Sequence, residues 1–202
     1  MAVNANALTT LAFAKTYLKI PTGETSMDTL VEFWINAASQ YIETETERKL
    51  KAQSLVEYIN GRKANMILTR QWPINSISEL RIDQGGLFTD ASTLVDASEY
   101  AVGDDEAIIV LRNLMFPAGY RNIKLTYNAG FAAIPPDLED ACLWMVQYFR
   151  MMRDSGDIGR PSKGKEGESS TILQSAPQHV RDAISRYRRC EFANSPRDVR
   201  NE

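Results

Sequence analysis

The sequence predicts an α+β fold: a helical bundle packed against a small antiparallel β section inserted between helices 2 and 3, followed by a mobile loop and a C-terminal helix. Three observations carry that expectation. Apolar residues recur at helical spacing from Thr9 to about Leu50 and again after Pro135. Between these stretches, from about Ser54 to Tyr127, β-branched and aromatic residues alternate between turn signals. The composition is that of a folded chain with a real core: 202 residues, 44% hydrophobic, 24% charged and 9% aromatic.

The first helix is expected over about 9–20, with Leu11, Ala14 and Leu18 on one face, Thr9 or Thr10 as its cap, and Pro21 and Gly23 as its stop. Ser26 or Asp28 opens a longer helix over about 28–50. Its stripe is Met27, Leu30, Val31, Trp34, Ile35, Ala38, Tyr41 and Ile42, and Glu45–Lys49 and Glu47–Lys51 are four-residue charge pairs at its far end. The period then changes. Leu55 to Ile59 runs into Asn60-Gly61, a strong hairpin signal, with Met66 to Leu68 as the returning strand. Ile77 to Asp83, Tyr100 to Gly103, Ile108 to Leu111 and Asn122 to Tyr127 are further short strands. Pro135-Pro136-Asp137 starts a third helix over about 136–153, with Asp137, Glu139 and Asp140 placed where the helix dipole favours anions. Its run Ala141 to Phe149 leaves almost no polar face and must be covered on several sides, by its own chain or by a neighbour.

The expected organisation is therefore a core over 1–153, a Gly-rich mobile loop over 154–176, and a helix with a polar tail over 177–202. No basic leader opens the chain, and no apolar stretch is long enough to span a membrane, so a soluble protein kept in a cytoplasm is expected. Two isolated cysteines fit a reducing compartment.

Chemistry is sparse. Gly159 to Lys165 matches a phosphate-binding loop until Glu166, where a Ser or Thr is needed to ligate Mg²⁺, and no strand precedes it. His179 is the only histidine, and Cys142 and Cys190 stand far apart, so neither a metal centre nor a His-assisted nucleophile is expected. Asp104-Asp105-Glu106 suits a hairpin turn. No catalytic residue and no cofactor is assigned, although a hydrolase stays open as a reading if an acid and a base converge in space. The net charge of −3 argues against a duplex-DNA binder as a whole. Arg181, Arg186, Arg188, Arg189, Arg197 and Arg200 are interleaved with Asp182, Glu191, Asp198 and Glu202, which leaves +2 over 181–202. A DNA-binding packaging or regulatory module using this helix is the alternative function. The stripe Val180, Ala183, Ile184, Tyr187 suits burial either in a partner's groove or on its own domain, and spacing alone does not choose.

The order of elements, with Leu8-Thr9-Thr10-Leu11-Ala12-Phe13-Ala14-Lys15-Thr16-Tyr17-Leu18, Ile35 to Glu43, Ile123 to Phe131 and Ile134-Pro135-Pro136-Asp137-Leu138-Glu139-Asp140-Ala141, resembles the head-tail connector, or adaptor, proteins of tailed bacteriophages. The resemblance covers roughly 8–50 and 120–153. It implies a structural subunit of a ring, commonly of twelve copies, in the virion neck beneath the portal protein. Assembly in the host cytoplasm, attachment of a tail-side stopper or tail completion protein, and DNA passing through the lumen without sequence-specific binding follow from the same resemblance. On that basis Val180, Arg181, Ile184, Tyr187, Arg188 and Arg189 are portal-docking candidates, and Trp144, Met145, Tyr148 and Phe149 are ring-interface candidates. An acidic lumen would let DNA slide without gripping its phosphates.

Overall fold

The Thr10 hydroxyl accepts the Phe13 N–H at 3.2 Å and opens α1, Leu11–Tyr17. Below it, the buried Lys15 ammonium reaches Asp28 at 2.6 Å and also donates to the Glu24 carbonyl. Asp28 thus serves twice, as the acidic first-turn residue of α2, Asp28–Thr46, and as the counter-charge of Lys15. The computed structural model describes residues 2–103, 107–155 and 177–189.

The chain divides into two compact units, one of residues 1–47 with 133–188 and one of 48–132 with 189–202. The last helix clusters with the other helices, and the strands with the segments that flank them. The first unit is helical. Val31, Trp34, Ile35, Ala38 and Ile42 of α2 are buried as their spacing predicts, and they pack toward α3, Pro136–Ser155. On α3, Leu138, Ala141, Cys142, Leu143 and Val146 are buried. The helix α4, Gln178–Arg186, packs on α2 and α3 and buries Val180 and Ala183. The expected mobile loop lies almost wholly outside the described residues.

The α2 helix ends four residues before the expected Leu50. Glu47 adopts a left-handed conformation, φ 54°, and its N–H closes onto the Glu43 and Thr44 carbonyls. The two charge pairs across that end are consequently not on a helix.

The second unit holds the strands β1 (Gln53–Gly61), β2 (Met66–Leu68), β3 (Ile74–Ile82), β4 (Tyr100–Val102), β5 (Ile108–Leu111) and β6 (Gly119–Ala129). They form two antiparallel three-stranded sheets, ordered β1-β6-β3 and β2-β5-β4. The Asn60-Gly61 hairpin is corrected here: β1 pairs with β6, and β2 with β5. The Asn60 side chain instead accepts the Arg121 N–H at 2.7 Å, and Gly61 permits a close approach, since a Cβ there would lie 1.8 Å from the Pro117 carbonyl oxygen. Ile67, Leu80, Ile109, Leu111, Phe116, Ile123, Leu125 and Tyr127 form the core of this unit.

Candidate functional site

The helical unit carries both sets of predicted interface residues except Arg189, which falls in the strand unit. Val180 of α4 is inside, Ile184 and the capping Tyr187 are half-buried, and Arg181 and Arg188, the latter just past the helix end, are exposed. The Tyr187 hydroxyl donates to Asp137 at 3.0 Å, Arg186 lies 3.8 Å from the same carboxylate, and His179 lies 3.6 Å from Asp140. These contacts clamp α4 onto the first turn of α3. Of the two destinations the stripe allowed, Val180 takes its own unit.

Trp144, Met145, Tyr148 and Phe149 are all half-buried, so they share the partly open flank of α3 rather than its core. The Trp144 and Tyr148 rings stack with centroids 5.6 Å apart, and Tyr148 meets Phe149 edge-on at 6.4 Å. Tyr17 on α1 faces Asp140, one turn before Trp144. Burial first, then the Asp140 charge, raises its phenol above the usual range. Phe13, Phe33 and Met151 are exposed elsewhere on this unit, at 47%, 51% and 60%. An apolar surface of this kind suits another protein better than water.

The acid-base search leads to one group that sequence reasoning passed over. Glu57 lies on the inward phase of β1 with Leu55 and Ile59. Burial pushes its carboxyl up, against the opposing effects of the Arg70 N–H, the Tyr127 hydroxyl, and the Arg70 and Arg189 charges. Its Oε2 accepts the Tyr127 hydroxyl at 2.8 Å and the Arg70 N–H at 3.1 Å, while Oε1 lies 3.3 Å from the Arg70 guanidinium. Both oxygens are engaged by the fold, so the cluster ties β1, β6 and the segment after β2 together. A carboxylate in phase with an apolar stripe was the sequence signal.

The helix-dipole acids are likewise committed. Glu139 accepts the Thr9 hydroxyl at 2.9 Å, and Asp137 also accepts the Leu138 N–H. Among the described residues there is no group of His, Cys, Asp and Glu that could hold a metal ion, and no helix is long and apolar enough to cross a membrane. Asp104-Asp105-Glu106, the phosphate-loop-like 159–166, Cys190, Arg197 and Arg200 lie outside the described residues.

Three solved chains share this fold over nearly its whole length. One, from the neck of a native gene transfer agent (GTA) particle computed with C12 symmetry, is 18% identical with a TM-score of 0.61. One from the neck of an empty GTA particle computed with C6 symmetry is 20% identical with a TM-score of 0.62, and one from the virion of a native gene transfer agent particle is 19% identical with a TM-score of 0.61. Each alignment covers 96% of this chain and 96% of the other. A comparison with curated proteins gives no match. The model of the head completion protein family matches residues 7–190, more of the chain than the stretches that carried the resemblance to head-tail connectors, and by that match the chain belongs to the head completion protein family.

Proposed function

We propose that this chain is a structural head-tail connector subunit that works in the virion neck as one member of a ring. The observation that carries the reading is the family match over residues 7–190. The chains of like fold come from particle necks computed with C12 and C6 symmetry, which supports a ring and, within it, twelve copies. A closed ring requires two different patches on each protomer, and the half-buried Trp144, Met145, Tyr148 and Phe149 are one of them. No catalytic role is assigned.

The finer partners follow from the same reading. The portal protein lies on one side, a stopper or tail completion protein on the other, and DNA passes between them without sequence-specific contact. The exposed Arg181 and Arg188, with the accessible parts of Ile184, Tyr187 and Arg189, are the portal-facing candidates, while Val180 supports the helix from below. Electron microscopy of the purified protein mixed with its portal tests this. Rings seated on the portal are expected, and Arg181→Glu with Arg188→Glu should reduce seating without unfolding the chain. Unchanged seating would remove α4 from the portal face.

A further inference from the structure

The strand unit separates its charges by sheet edge. Between Tyr58 and Ser78 the chain has three bases, Arg62, Lys63 and Arg70, and no acid. Between Glu79 and Gly103 it has five acids, Glu79, Asp83, Asp90, Asp96 and Glu99, against the single base Arg81. In the order β1-β6-β3 the first and last strands are opposite edges, as are β2 and β4 in the order β2-β5-β4, so Arg62 and Lys63, between β1 and β2, and Asp96 and Glu99, just before β4, border opposite edge strands.

On the basic edge, the loop after β1 presents Arg62 and Lys63, both exposed and neither in an ion pair among the described residues. The loop is held rather than loose. Gly61 donates to the Asn122 side chain at 2.8 Å, and the Phe116 N–H to the Ala64 carbonyl at 2.8 Å. Beside it Tyr120 is 80% exposed, Met66 is 44% exposed, and the Arg121 guanidinium sits over the Tyr58 ring at 4.8 Å. On the acidic edge there is a groove of about 550 Å³ lined by Asp96, Glu99, Leu94, Val95, Ile82 and Leu114. The Ser98 and Ser92 N–H groups hold Asp96 and Asp90 below the usual carboxylate range, so both are negative at neutral pH. Arg81 borders the groove through Thr93, and its guanidinium is paired with Glu79 at 2.6 Å.

We propose that the Arg62–Lys63 edge of one copy docks into the Asp96–Glu99 groove of the next copy, giving the strand unit its own heterologous contact in the ring. Two unlike and complementary edges on one protomer are what a head-to-tail ring requires. Arg, Tyr and Met are the types enriched at protein interfaces, and exposed Met66 and Tyr120 suit a groove walled by Leu94 and Leu114 better than a phosphate backbone. This inference rests on the ring reading above, and the test separates the two.

The full-length chain is followed by mass photometry and sedimentation at low salt, alongside Arg62→Glu/Lys63→Glu and Asp96→Lys/Glu99→Lys. Each charge-reversed chain alone should need at least about tenfold more protein to assemble, and an equimolar mixture should recover rings in which the two alternate. Glu99→Lys alone, which keeps the Asp96 cap, gives the same direction should the double variant melt early. Wild-type assembly matched by both reversed chains would overturn this interface and leave the ring standing. Wild type that stays monomeric at every concentration, alone and with its portal, would overturn the ring and this contact with it. Duplex-DNA binding lost in Arg62→Glu/Lys63→Glu, with assembly unchanged, would reassign the edge to nucleic acid.

Discussion

Buried polar side chains decide several properties of single residues here. Burial pushes the Cys142 thiol up to about 12, beyond the relief its contact with Ser39 gives. Native Cys142 should therefore resist alkylation, and peptide-level mass spectrometry should show its labelling only as the chain unfolds. Rapid labelling of folded protein would contradict its burial. Glu57 has the opposite consequence for pH. Because the folded state raises its pKa, the native chain holds that proton more tightly than the unfolded chain does. Its contribution to stability is fullest below the ordinary glutamate range and falls as pH rises from there toward the raised folded value. Glu57→Gln should flatten the melting temperature against pH across that window, and an unchanged slope would show that the carboxylate is better solvated than its partners imply. Gly61 makes a backbone prediction. With a Cβ only 1.8 Å from the Pro117 oxygen, Gly61→Ala should cost about 2 kcal/mol or more in urea unfolding. Gly23→Ala, with nothing within 4 Å, should stay within about 0.5 kcal/mol.

At the scale of elements, α4 is a structural helix before it is anything else. Val180 is 1% exposed, so Val180→Asp should destabilise the chain by about 2 kcal/mol or more, whereas Arg181→Gln should change stability by less than about 0.5 kcal/mol. Equal effects in denaturant melts would mean that α4 is not packed as described. The helices were legible because their signals are local: Thr10 caps, Asp28 and Asp137 sit in first turns, and Val31 to Ile42 fall on one face. The end of α2 was not legible, since a non-glycine residue in the left-handed region, Glu47, carries no signature. Strand positions could be read, yet pairing could not. Asn60-Gly61 obeys a short-range rule, while the partner of β1 lies some sixty residues away in β6, where Asn122 and Arg121 take up the two residues a turn would have used. The half-buried aromatic row on α3 was visible as an over-apolar run, but which of its members face outward depends on where α2 and α4 lie.

For the whole molecule, the family match over residues 7–190 points toward a structural part of the virion neck, whose work is done by surfaces. The surfaces proposed for that work are of two kinds: the aromatic flank of α3 in the helical unit, and the oppositely charged edges of the strand unit. Neither requires sequence-specific contact with DNA. The central claim, that these surfaces close the chain into a ring, is tested most directly by electron microscopy of the purified protein, alone and mixed with its portal. Closed rings of one size, lost when Trp144→Ser and Tyr148→Ser are combined, are the predicted result. Monodisperse single subunits that remain single in the presence of portal would contradict it.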